Sequence, residues 1–76
     1  MSVSVLFFGA TADVVGSWKI ETSASNSEEL LSNILAEHPR LRSHKLLVAV
    51  NQEYAGDAMP LKDGDEVAIF TAVSGG

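Results

Sequence analysis

Residues 25–38 carry the one long amphipathic helical pattern in this chain, and that pattern limits the possible folds more than any other feature. The side chains of one stripe recur at the i, i+3, i+4 and i+7 spacing of an α-helix face, at Leu31, Ile34, Leu35 and His38. Pro39 disfavours helical backbone at the residue before it, so the helix is predicted to end at or before His38. One such helix covers one face of a sheet, so the rest of the core has to come from strands.

The start of this helix carries a capping-box pattern, a serine followed three residues later by a glutamate, at Ser25 and Glu28. In such a box the serine hydroxyl accepts a hydrogen bond from the glutamate amide, and the glutamate carboxylate accepts one from the serine amide. We therefore predict that Ser25 caps the helix.

Five other segments have strand patterns. Both faces of residues 3–8 become apolar toward the end of the run, which predicts a strand in the interior of a sheet. Residues 18–22 alternate between apolar and polar, which predicts a half-exposed strand that pairs antiparallel with the first. Three more strands are predicted at residues 46–50, weakly at 54–58, and at 66–70.

Short connections between these elements are also predicted. Residues 10–15 are predicted to form a short helix that ends at Gly16, because glycine readily adopts the left-handed conformation of a helix C-cap. Asn51-Gln52 and Asp63-Gly64 have the residue types that favour turns.

The order strand, strand, helix, strand, weak strand, strand predicts an α+β fold with one sheet and one main helix. The 76 residues are too few to fill two cores, so we expect one domain at residues 1–70 and a flexible tail at 71–76. Because the chain has no cysteine, its core has to hold without a disulfide.

Charge and hydropathy exclude several classes of partner. Ten acidic against five basic residues give a formal charge of -5, which opposes binding to the phosphates of nucleic acid. The longest apolar run is five residues, and no basic segment precedes the apolar start of the chain as in a secretory signal. We therefore expect a cytoplasmic protein with no membrane segment.

The basic residues are unevenly distributed along the chain. Three of the five lie within six residues, at Arg40, Arg42 and Lys45, with His38 and His44 beside them. A solvated loop and a binding patch both fit this pattern.

Motifs for catalysis and metal binding are absent from the sequence. It has no nucleophile-elbow serine, no phosphate-binding glycine loop and no zinc-binding helix motif. His38 and His44 do not have a standard ligand spacing, and the acidic residues near Asp63 do not supply a calcium loop. We expect neither a catalytic centre nor a bound metal or cofactor.

The remaining feature is Gly75-Gly76 at the end of the sequence. Without Cβ atoms these residues can enter a narrow channel, and six extended residues beyond Phe70 reach about 20 Å. A carboxylate is ionised at neutral pH and resists nucleophiles, so it must first be activated, for example as an acyl-adenylate. The sequence has no phosphate-binding loop, so another protein would have to activate the carboxylate. The alternative is a glycine end without a function.

Four segments resemble one family: VLFFG at residues 5–9, LVAVNQ at 47–52, PLKDGDEVAIF at 60–70 and VSGG at 73–76. They resemble the ubiquitin-like sulfur carriers, and within that group the small subunits of molybdopterin synthase. The resemblance implies a β-grasp fold, a mixed sheet of four to five strands covered by one main helix.

The resemblance also implies a function and partners. A ubiquitin-activating-type adenylyltransferase would use ATP to adenylate Gly76, and a sulfur donor would convert the adenylate to a thiocarboxylate. Val73, Ser74 and Gly75 would thread into the large synthase subunit, in a heterotetramer of two chains of each kind. Sulfur would then pass to a cyclic pterin phosphate to build molybdopterin, with the catalytic residues on the large subunit.

In the family pattern the partner-binding surface maps to Phe70, Tyr54 and Phe8. For Phe70 alone, packing in the core is the competing interpretation. Three other functions stay open at this stage: a carrier for the thiazole of thiamine, a ubiquitin-like protein modifier, and an interaction module with an idle tail.

Overall fold

The computed structural model describes residues 2–55 and 58–71. Its elements in chain order are β1 (Val3–Phe7), α1 (Ala10–Val15), β2 (Lys19–Thr22), α2 (Ser27–Glu37), a 3₁₀ helix (Pro39–Ser43), β3 (Leu46–Val50), β4 (Glu53–Tyr54) and β5 (Glu66–Thr71). The short helix α1 ends at Gly16 in the left-handed conformation, with φ 82°, as predicted.

The strands form one mixed sheet in the order β2-β1-β5-β3-β4. β1 pairs antiparallel with β2 and parallel with β5, so its predicted interior position is confirmed. β3 lies antiparallel to both β5 and β4. The middle strand β5 and its neighbour β1 therefore come from the two ends of the described chain. The interior of the sheet forms only when both strands are in place.

Helix α2 packs on one face of this sheet and completes the core. Val5 and Val67 are opposite each other in the β1–β5 pair, and both are fully buried. Leu30 and Ile34 of α2 are buried in the same cluster. Because residues alternate along a strand, the neighbours of these strand residues point away from the helix, to the other face of the sheet.

The predicted capping box at the start of α2 is wrong by one residue. The cap is Asn26, whose Oδ1 accepts a hydrogen bond from the Glu29 amide at 2.8 Å. The Glu29 carboxylate in turn accepts from the Ser25 amide at 3.0 Å. The carbonyl of Ser25 accepts from the Leu61 amide at 3.0 Å, and this contact from a distant segment holds Ser25 outside the helix.

Replacing Asn26 tests this cap. We expect Asn26→Ala to lower the free energy of unfolding by about 1 kcal/mol, since the Glu29 amide loses its acceptor. Asn33→Ala is the matched control, because Asn33 is an exposed residue inside α2 and caps nothing. Chemical denaturation of both variants measures the difference. Equal destabilisation would contradict the role of Asn26.

Several other element boundaries differ from the prediction. The weak strand expected at residues 54–58 is the two-residue β4, and β5 extends one residue beyond the predicted end, to Thr71. Where the sequence indicated a loop or a patch, Pro39–Ser43 is a 3₁₀ helix, and its Leu41 is fully buried in the core. Arg40 and Arg42 on either side of Leu41 are exposed.

The DGDE segment that supports the family resemblance has a structural role. Asp65 accepts hydrogen bonds from the Lys62 amide at 2.8 Å and from the Asn51 side chain at 3.1 Å, and these bonds lower the pKa of Asp65. The Asn51 side chain also accepts from the Glu66 amide at 3.0 Å. Gly64 has φ 87°, a conformation that favours glycine. The motif thus joins the turn after β3 to the start of β5.

Within the described residues, no helix combines the length and the hydropathy that a membrane crossing requires.

Candidate functional site

The face of the sheet opposite α2 carries a group of apolar side chains that lie outside the core beneath α2. We call this surface the open face; its residues are Leu6, Phe8, Leu47, Ala49, Tyr54, Ala68 and Phe70. The strand residues next to them in sequence, such as Val67 and Ile69, are fully buried beneath α2. The open-face residues lie outside the cluster beneath α2 and the partly buried residues packed against it, and of them only the small Ala49 is buried, at 8% exposure.

Phe70 lies near the carboxyl end of the open face. It is opposite Leu47 in the pairing of β5 with β3, and it is half-buried. Its ring centroid is 6.0 Å from that of Tyr54, with the planes tilted by 54°. Core packing for Phe70, the competing interpretation, is therefore wrong, because Ile69 occupies the core side of β5 and Phe70 the opposite side.

Tyr54 is on the edge strand β4, opposite Ala49 of β3. It is 71% exposed, although its ring contacts Phe70. An exposed aromatic ring held against a second ring presents a large apolar area with little freedom to lose, which favours its use in a protein interface.

Phe8 is the third aromatic residue of the open face. The ladder between β1 and β5 continues past the end of β1, where the Phe8 amide donates to the Ile69 carbonyl at 3.1 Å. Alternation from the buried Phe7 places Phe8 on the open face, level with Phe70, and its side chain is 50% exposed. The structure thus brings the three residues predicted for partner binding to one surface.

Thr11 supports this end of the sheet, and the sequence analysis missed it. Its side chain is fully buried, and its hydroxyl lies 2.6 Å from the Phe8 carbonyl and 3.1 Å from the Ile69 carbonyl. The contact joins α1 to the ends of β1 and β5 and so fixes the backbone beside both phenylalanines. A threonine three residues after a strand end, inside a short helix, is the one sequence signal for such a bond.

The open face changes character along the strands. At the end where β5 begins, Glu66 lies opposite Ser4, and Ser4 is also opposite Glu21. At the other end, Phe8, Phe70 and Leu47 lie side by side. The apolar end is thus the end at which β5 continues toward the carboxyl end of the chain.

The predicted tail residues Val73, Ser74, Gly75 and Gly76 lie outside the described residues. Their role stays a prediction.

The described residues contain no group of three histidine, aspartate or glutamate side chains placed to hold a metal ion. The described residues do form an exposed apolar surface, and it lies beside the carboxyl end of β5. A surface of this kind is typical of a protein-docking site.

Comparisons with known proteins agree over almost the whole chain. A family model described as the ThiS family matches residues 5–76. The molybdopterin synthase sulfur carrier subunit of Chlamydomonas reinhardtii is 40% identical over 84 residues, and the alignment covers 100% of each chain.

Two solved structures extend the likeness to the fold. The small archaeal modifier protein 1 of Methanosarcina acetivorans has a TM-score of 0.86 at 21% identity, covering 99% of this chain and 96% of that chain. In the complex of subunits 1 and 2 of molybdopterin-converting factor from Helicobacter pylori 26695, one chain has a TM-score of 0.75 at 30% identity, with 100% of both chains covered. The predicted ubiquitin-like β-grasp fold is confirmed.

Proposed function

The chain belongs to the ThiS family, and we propose that it is the sulfur carrier subunit of a molybdopterin synthase, with the carboxylate of Gly76 as the group that carries sulfur. The match to the Chlamydomonas reinhardtii carrier subunit supports this most directly, since it extends over 100% of both chains and includes Gly75 and Gly76. The DGDE segment and the three open-face aromatics agree with it but are compatible with any β-grasp carrier.

Loading the carrier takes two steps on partner proteins. A carboxylate oxygen of Gly76 attacks the α-phosphorus of ATP on an adenylyltransferase, which forms the acyl-adenylate and releases diphosphate. The terminal sulfur of a donor persulfide then attacks the acyl carbon, and AMP leaves. A thiol next cleaves the sulfur–sulfur bond, forming a disulfide with the donor and leaving the thiocarboxylate on Gly76. ATP is consumed by the partner, and this chain binds no cofactor of its own.

Delivery takes place on the large synthase subunit. The carrier docks, its tail enters the active site of that subunit, and the thiocarboxylate sulfur forms a bond to a carbon of the cyclic pterin phosphate. Water then hydrolyses the acyl–sulfur bond, which leaves the sulfur on the pterin and regenerates the Gly76 carboxylate. Two sulfurs are required for the dithiolene, in keeping with a heterotetramer of two carriers and two large subunits. The acids, bases and phosphate-binding groups belong to the large subunit, and the cycle takes place in the cytoplasm.

The open face is the docking surface in this proposal. Phe70, Tyr54 and Phe8 are the anchors, because a few residues carry most of the binding energy in protein interfaces and aromatic residues are enriched among them. In the Helicobacter pylori complex, a chain similar to this one is bound to a second subunit, which supports a large-subunit partner.

The experiment that tests the function starts from the thiocarboxylated protein. Its intact mass, measured after purification from its own cell, is expected to show one oxygen replaced by sulfur. Mixing this form with a large molybdopterin synthase subunit and cyclic pterin phosphate is expected to give the dithiolene product. The same form mixed with a thiazole-forming system is expected to give no thiazole. Thiazole as the sole product would contradict the molybdopterin assignment and leave the carrier chemistry standing.

A further inference from the structure

A second surface lies on the helix side of the sheet, away from the open face. Between α2, the 3₁₀ helix and β3 there is a groove of about 260 Å³, lined by Leu31, Leu35, Leu41, Arg42, His44 and Leu46. We call it the leucine groove. Its volume is below the roughly 300–1,000 Å³ of sites for small-molecule ligands, so its size suits the side chains of a peptide better than a cofactor.

The walls of the leucine groove remain partly open to solvent. Leu31, Leu35 and Leu46 pack against the core with one side and are only half-buried, whereas Leu41 forms the fully buried floor. Covering the three half-buried leucines with apolar side chains of a partner would remove their remaining exposed area from water, which is favourable in proportion to that area.

One basic side chain, Arg42, lines the leucine groove, and two more basic residues are adjacent to lining residues in the sequence. Arg40, Arg42 and Lys45 are exposed, and within residues 38–45 there is no acidic side chain. The rest of the chain has a formal charge of -8, since the total is -5 and these three add +3. In the described part of the chain none of the three forms an ion pair. The protein thus presents a localised positive field beside an apolar groove, on an otherwise acidic body.

From this combination we propose that the leucine groove binds an acidic peptide segment of a partner protein, with aliphatic side chains in the groove and carboxylates against Arg42 and the neighbouring Arg40. A second copy of this chain is a poorer occupant, because two bodies of charge -5 repel each other. Leu46, Val48 and Val50 of β3 point to the helix side, and Leu47 and Ala49 to the open face, so the groove and the open face are on opposite sides of the sheet.

This placement has a consequence for assembly. A partner in the leucine groove does not compete with a partner on the open face, so the chain can hold both at once. The groove would therefore recruit an additional protein to the carrier while its tail is engaged elsewhere. This binding goes beyond sulfur transfer and does not require it, so each can fail without the other.

The direct test uses a labelled probe peptide of the sequence Glu-Asp-Leu-Glu-Glu-Leu-Leu-Asp-Glu with the full-length protein. One control peptide has glutamine and asparagine in place of the acids, and another has serine in place of the leucines. Fluorescence anisotropy is expected to show at least about tenfold tighter binding for the probe than for either control, and weaker binding as salt is added. Methyl NMR shifts are expected at Leu31, Leu35 and Leu46.

Matched charge reversals locate the site on the protein. The double variant Arg40→Glu, Arg42→Glu is expected to lose about tenfold in affinity for the probe. Lys19→Glu, Lys62→Glu changes the net charge equally with two exposed lysines elsewhere, and is expected to lose less than about twofold. Circular dichroism verifies folding, and Arg40→Gln, Arg42→Gln replaces the reversal if that variant does not fold.

Several outcomes would overturn the proposal. Equal binding of the probe and the neutral peptide would exclude a role for the basic residues. Methyl NMR shifts confined to the open face would show that the peptide binds there and not in the leucine groove. Tighter binding of anionic lipid vesicles or of RNA than of the probe would assign the patch to another class of partner. Concentration-dependent dimers that the Arg40→Glu, Arg42→Glu variant abolishes would make a second copy the occupant.

Discussion

A variant that lacks Gly76, or that has one residue added after it, will no longer deliver sulfur, whereas its unfolding midpoint will equal that of the unmodified protein. Either change displaces the terminal carboxylate by about 3.5 Å along an extended chain. A displacement near 1 Å can already cost about a hundredfold in rate when reacting groups must be aligned. Neither Gly75 nor Gly76 has a side chain to bury, so the core loses nothing.

Two measurements on each tail variant separate function from fold. Thermal unfolding gives the midpoint, and intact mass after incubation with the adenylyltransferase, ATP and a sulfur donor gives the fraction converted to thiocarboxylate. Ser74→Ala is the control, because it keeps the tail length and the position of the carboxylate. An extended variant that accepted sulfur at the unmodified rate would show that the reacting group is not the carboxylate of Gly76.

The second large effect is expected at Phe70. Phe70→Ala is expected to weaken binding to the large synthase subunit by about 2 kcal/mol, roughly thirtyfold, because the open face loses the aromatic anchor on its middle strand, β5. The loss of stability should stay well below the roughly 3–5 kcal/mol of a core Phe→Ala change, because Phe70 lies outside the core cluster.

Phe7 provides the matched control, since it is 2% exposed on β1 and points to the opposite face of the same sheet. Phe7→Ala is expected to cost the full core penalty of about 3–5 kcal/mol. Chemical denaturation measures stability, and calorimetric titration with the large subunit measures binding. A Phe70→Ala variant that lost as much stability as Phe7→Ala and still bound normally would exclude the open face as the docking surface.

The sequence predicted those elements whose patterns depend only on nearby residues. Residues 3–8 have apolar side chains on both faces, and such a strand is stable only between neighbours, which is where β1 lies. The stripe of α2 and the stop at Pro39 are equally local, as is the left-handed cap at Gly16. These patterns sufficed for an α+β fold with one sheet and one main helix, and the resemblance of four segments to the ubiquitin-like sulfur carriers implied the β-grasp fold.

Local patterns did not predict the residue that caps α2 or the burial of Leu41. Ser25 and Glu28, or Asn26 and Glu29, both satisfy the spacing of a capping box, and the bond from the Leu61 amide to the Ser25 carbonyl decides between them. Leu41 lies between two exposed arginines, and its burial depends on the packing of the 3₁₀ helix against α1 and α2. In both cases a segment distant in the sequence takes part, Leu61 for the cap and α1 for Leu41.

The residues of the candidate site were identified from the sequence, but their arrangement was not. β5 has apolar residues on both faces, at Val67 and Ile69 on one side and at Ala68 and Phe70 on the other, so alternation alone does not say which side α2 covers. The register of β5 with β1 and β3 decides it, by placing Ile69 level with Phe7 and Val48 beneath the helix. Phe70, Phe8 and Tyr54 share the open face because β1 pairs with β5, β5 with β3 and β3 with β4. The first two of these pairings join segments distant in the sequence, and pairing of that kind is a property of the tertiary structure alone.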